Sequence, residues 1–231
     1  MFNKIFEDLF GSNTFSGNVS GDMVGNISGG HQGTKGNGKV ITVDCSQYLS
    51  EDVRQIVTDG IINFVISDEV GLLLDLEIEE NLVDCVVITN KNGILHVACK
   101  NMQSTKSIKV TLRKPSKITG ITTSGVGNFD GIISTNSLVL NKSGVGNVTL
   151  RGTSDTLVII ASGVGNVNTK SVKTVDLKVN CSGTGSVVAS ASKSLDCDVS
   201  GVCSVTVHDQ SAGGLIMKKC NTSGLGKLKV I

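Results

Sequence analysis

Apolar and polar positions alternate with a period of two through much of the chain from residue 40 onward. Leu74, Leu76 and Ile78 alternate with Asp75, Glu77 and Glu79, and Ile108, Val110 and Leu112 with Lys109, Thr111 and Arg113. That period turns one set of side chains inward and the other to solvent, and it predicts strands. Cys85–Thr89 and Ile94–Cys99 are two further apolar runs, with the turn signal Lys91-Asn92-Gly93 between them.

A short motif then recurs. Ser-Gly-Val-Gly-Asn begins at Ser124, Ser143 and Ser162, and looser copies begin at Ser182, Ser200 and Ser223. Successive motifs start 19, 19, 20, 18 and 23 residues apart. A period near 20 is the sequence sign of a solenoid, in which each coil buries its apolar face only by stacking on the next. The apolar positions keep the same period. Three residues before each Ser stand Ile121, Leu140, Ile159, Val179, Cys197 and Cys220. Five residues after it stand Phe129, Val148, Val167, Val187, Val205 and Leu228. Two residues after it stand Val126, Val145, Val164, Thr184, Val202 and Leu225. Each set is expected to form an inward column, with the glycines turning the corners. The prediction is an all-β chain: a single-stranded parallel β-helix, or β-solenoid, with 19–20-residue coils over residues 40–231. Residues 40–66 either join the coils or cover their end, with Glu51–Val57 a candidate capping helix.

The period changes toward the N-terminus. Residues 1–15 place Phe2, Ile5, Phe6, Leu9 and Phe10 on one side of a helical pattern, with Lys4, Glu7 and Asp8 on the other. This short amphipathic segment holds four of the six Phe, counting Phe15. It is expected either to cap the solenoid or to dock a partner. Residues 16–39 are rich in Gly, Ser and Asn and read as a flexible linker.

Charge excludes some classes of function. The net charge is +1, so no general attraction to nucleic acid follows. Residues 40–90 carry eleven acids and one base, whereas residues 91–120 carry seven bases and no acid. That asymmetry suits head-to-tail self-association, and the last coil offers an edge for end-to-end pairing. No apolar run reaches the ~18 residues of a membrane span. The N-terminus lacks a basic and apolar export signal, so a cytoplasmic location and mostly reduced cysteines are expected. Cys197 and Cys220 hold one column position on adjacent coils, within disulfide reach.

The ordered motifs resemble the head GIN domain family, also described as auto-transporter adhesins. The likeness rests on the repeat together with its lead-in: Glu80-Asn81-Leu82-Val83-Asp84, Asn92-Gly93-Ile94-Leu95-His96-Val97, Ile108–Leu112, and Ile118-Thr119-Gly120-Ile121 running into Ser124. It covers about residues 40–231. The resemblance implies a parallel β-helix with an adhesin-like role and brings no catalytic residues with it.

The candidate sites follow from the columns. Asn128, Asn147 and Asn166 should stack as an amide ladder on neighbouring coils. Asp75, Glu77 and Glu79 share a strand face and either pair with Lys109 and Arg113 or attract a hard cation. Asp196 and Asp198 flank an inward Cys197, at a spacing compatible with inverting glycoside hydrolysis. The chain has no Trp and one Tyr to offer a sugar. His31, His96 and His208 lie apart in sequence, and neither a metal nor another cofactor is expected. The reading is a non-enzymatic structural or binding scaffold, with a protein partner or a second copy bound. A surface adhesin or glycan-binding module is the first alternative, and a carbohydrate-active enzyme the second.

Overall fold

The computed structural model describes residues 33–115 and 117–231. The amphipathic segment with Phe2, Ile5, Phe6, Leu9 and Phe10 lies outside the described residues, as do His31 and most of the Gly-rich stretch. The lead-in strands are β1 (Thr34–Lys35), β2 (Val40–Asp44), β3 (Gln55–Asp59), β4 (Asn63–Ser67), β5 (Leu74–Glu79), β6 (Val86–Lys91), β7 (Ile94–Cys99), β8 (Met102–Gln103), β9 (Lys109–Arg113) and β10 (Gly120–Thr123). The repeat supplies β11 (Phe129–Lys142), β12 (Val148–Ala161), β13 (Val164–Cys181), β14 (Thr184–Ala191), β15 (Ser194–Val199), β16 (Val202–Asp209), β17 (Ile216–Thr222) and β18 (Lys227–Val230).

From β10 onward every pairing is parallel and advances one coil. Phe129, Val148, Val167, Val187, Val205 and Leu228 are successive register partners. So are Ile121, Leu140, Ile159, Val179, Cys197 and Cys220. Both columns point inward and share one core. Their side chains are buried up to the last coil, where Leu228 is partly buried and Cys220 is exposed. Stacking is the main source of stability here: a Val or Leu buried in such a column contributes about 1.5–3 kcal/mol over its exposed state.

The lead-in is not a run of parallel coils. β2 and β5 are antiparallel, as are β5 and β9, and β6 and β7 form a hairpin. The two-residue connection between β6 and β7 favours an antiparallel pair, because a parallel return needs a crossover. Asn92 and Gly93 close the hairpin with φ of 55° and 74°, the left-handed pair that a two-residue turn requires. Phe64 of β4 stacks on Phe129 at 5.1 Å, joining lead-in to repeat.

Two expectations are corrected. Glu51–Val57 is no helix: Val53 and Ile56 are buried, Gln55 begins β3, and β3 pairs in parallel with β7 and β10. Sheet pairing on both sides outweighs a short helical pattern with no turn to nucleate it. The end of the Gly-rich stretch is fixed in place. β1 pairs with β8, Gly38 N–H donates to Glu79 Oε1 at 2.6 Å, and Asn37 N–H donates to Asn81 Oδ1 at 3.0 Å.

Candidate functional site: the glycine corner

The repeats that begin at Ser124, Ser143, Ser162 and Ser182 turn their corners on two glycines that leave no room for a side chain. A Cβ on Gly125, Gly144, Gly163 or Gly183 would overlap a carbonyl oxygen of the preceding coil. The same holds for Gly127, Gly146, Gly165 and Gly185, which also have φ between 118° and 146°. The corner is therefore a backbone-on-backbone stack, and only the residues between the glycines carry side chains.

Those side chains point out. Val126, Val145 and Val164 are each 50% exposed, Val202 is 55% and Leu225 is 72%. This overturns the expected inward column two residues after each Ser. The corner interior is closed by glycine backbone, so an apolar residue between two glycines has only solvent to face. Ile61 extends the column one coil earlier by bridging to Val126, and Thr184 fills the gap before Val202. Successive members lie about 4.8 Å apart.

A polar row runs beside it. Asn147 donates its backbone N–H and its Nδ2 to Asn128 Oδ1, at 3.0 and 3.2 Å. Asn166 does the same to Asn147 Oδ1, at 3.1 and 3.2 Å. The row extends one coil each way. Asn128 N–H donates to Asn63 Oδ1 at 2.9 Å, and the Ser186 hydroxyl donates to Asn166 Oδ1 at 2.7 Å. Asn63 could not be found from the repeat, because it stands before the first motif. Ser124, Ser143, Ser162 and Ser182 form an exposed row on the other flank.

Beneath the corner, the space left by glycine is filled in two ways. Lys142 is buried, and its Nζ donates to Gly144 O at 3.0 Å and Val164 O at 2.8 Å. Its burial lowers the amine's pKa. Two coils on, Cys181 holds the equivalent place and is disulfide-bonded to Cys203, with Cα atoms 6.2 Å apart. Cys203 is in register with Gly185, so its side chain enters the corner that glycine leaves open. Cys181 and Cys203 depart from the expected reduced state, while Cys45, Cys85, Cys99, Cys197 and Cys220 are free thiols.

The remaining candidates are engaged in the fold. Asp75 pairs with Arg113, and Glu77 with Lys109 at 2.8 Å. Glu79 is fully buried, with no ion pair among the described residues. It accepts from the Thr105 and Ser104 hydroxyls at 2.6 and 2.7 Å and from Thr105 N–H at 2.8 Å. These donors, led by the Thr105 hydroxyl, hold its carboxyl down at about 2. Asp196 is paired with Lys178 at 3.0 Å. Among the described residues no group of three or more His, Cys, Asp or Glu could hold a metal ion. No helix there is long and apolar enough to cross a membrane.

Parallel coils in register, closed by a glycine corner, define a β-solenoid. The chain belongs to the family described as putative auto-transporter adhesin, head GIN domain, whose model matches residues 54–210. Solved structures share the fold. A putative adhesin from Bacteroides fragilis matches with a TM-score of 0.65 at 23% identity, over 86% of this chain and 100% of that one. Putative adhesins from Parabacteroides distasonis and Parabacteroides merdae match with TM-scores of 0.54 and 0.52, each at 16% identity. Each covers 86% of this chain, with 99% and 98% of their own lengths aligned. No curated protein matches the chain.

Proposed function

We propose that the chain is a non-enzymatic, adhesin-like scaffold that binds a surface or partner through its glycine corner. The observation that carries this reading is the column Ile61, Val126, Val145 and Val164, half-exposed and flanked by hydrogen-bonded amides. A contiguous apolar row rimmed by polar groups is the signature of an interaction surface. Two clefts in the described fold are small: one of about 10 Å³ lies under the corner beside Lys142, and one of about 150 Å³ lies between Ile66, Lys114 and Ile132. Small-molecule sites usually need about 300–1,000 Å³. The ion pair with Lys178 also ties down the Asp196 carboxylate that the enzyme alternative requires.

A glycan-binding adhesin would use the same corner, with the Asn and Ser rows meeting hydroxyl groups. Docking through Phe2, Ile5, Phe6, Leu9 and Phe10 is a separate proposal, tested by deleting residues 1–15. So is a cytoplasmic location, which cell fractionation tests.

The test uses beads coated with the full chain and beads coated with a Val126→Ser, Val145→Ser, Val164→Ser variant, applied to cells and to extracellular matrix. Retention of the wild-type beads and loss of the variant beads, at equal melting temperature, supports the proposal. Equal retention of both, or turnover of a polysaccharide by the free protein, contradicts it.

A further inference from the structure

We propose that Cys197 and Cys220 are a disulfide-forming pair that staples the last coil to the body of the solenoid. They are direct register partners on the parallel strands β15 and β17. Neighbouring strands lie about 4.8 Å apart, inside the 4.4–6.8 Å Cα separation that a disulfide spans. Their column is aliphatic through Ile121, Leu140, Ile159 and Val179, and it changes to cysteine only in the last two coils.

Those coils are where stacking supplies least. β17 is exposed along its whole length and pairs only with β15 among the described strands. One side of the coil therefore has no burial to hold it. A covalent link would hold the exposed strand β17 to β15. A disulfide, Cys181–Cys203, already links neighbouring coils, and Cys181 lies two residues along β13 from Val179, the register partner of Cys197. The spans 181–203 and 197–220 interleave, so together the two links would bind three successive coils.

The oxidant is a small-molecule disulfide such as oxidised glutathione. Cys220 is the exposed member, so its thiolate attacks first, breaking the glutathione S–S bond and releasing one glutathione thiolate. Cys197, having given its proton to solvent, then attacks the Cys220 sulfur and expels the second. Two protein thiols lose two electrons and two protons, and one disulfide becomes two thiols. Burial, and then the neighbouring Cys220, hold the Cys197 thiol up at about 12. A thiol so hard to ionise is a slow attacker and a poor leaving group, so the bond is expected to form slowly and to resist reduction.

The full chain is reduced, incubated with oxidised glutathione, alkylated and digested without reductant. The expected product is a Cys197–Cys220 linked peptide, two hydrogens lighter than the free pair, alongside the Cys181–Cys203 link. Amide exchange in β17 should slow about tenfold relative to Cys220→Ser. Alkylation of both cysteines while Cys181–Cys203 is linked overturns the proposal. So does Cys220 joined to glutathione, to another cysteine or to a second copy.

Discussion

Gly144 packs its Cα against the Gly125 carbonyl oxygen of the coil before, in a space a Cβ would overlap. The contact recurs at Gly163 and Gly183, so the corner depends on glycine for close approach as well as for φ. Gly144→Ala is expected to destabilise the protein by about 3 kcal/mol or more, because backbone must move. Gly213→Ala, with nothing within 4 Å of its Cβ, should stay within about 0.5 kcal/mol. Denaturant midpoints of the two variants check this.

The outward column predicts a reversal of the usual cost of a polar substitution. Val145→Ser should change stability by less than about 0.5 kcal/mol, as expected of a half-exposed residue. Leu140→Ala, five residues earlier and fully buried, should cost about 2–5 kcal/mol. Thermal melts of both variants separate the two columns.

Glu79 links stability to acid. Its folded carboxyl is held at about 2 against an ordinary 4.5, so its contribution is fully present above 4.5 and is lost as pH falls toward 2. Glu79→Gln should melt lower than wild type at neutral pH, and the gap should narrow on acidification. A constant gap across that range would contradict the assignment.

The amide row should be cooperative in a modest way. Asn147→Ala removes the Oδ1 acceptor that Asn166 uses and the Nδ2 donor to Asn128 Oδ1. Its backbone N–H remains, so the net cost is expected near 1 kcal/mol. Hydrogen exchange at the Asn166 amide should rise with it.

Much of this arrangement was legible before any coordinates. The spacing of Ile121, Leu140 and Ile159, and of Phe129, Val148 and Val167, is the register itself, because parallel coils of constant length place equal positions side by side. Asn92-Gly93 carries its own turn geometry, and the acids of β5 face the bases of β9 because both strands alternate. The direction of Val126, Val145 and Val164 was not legible. An apolar residue usually marks the core, and here a close backbone approach, invisible in residue type, closes the interior. Glu51–Val57 misled for a related reason: its neighbours β7 and β10 come from distant sequence. The Cys181–Cys203 bond could have been suspected from Cys203 standing where the other motifs have glycine.

The central claim is that the outward valine column is the contact surface, and radical footprinting of the protein bound to adherent cells tests it most directly. Loss of side-chain oxidation at Val126, Val145 and Val164 on binding, with Leu225 following, is the predicted result. Unchanged oxidation of the column while residues on the strand faces become protected would place the contact elsewhere and contradict the account.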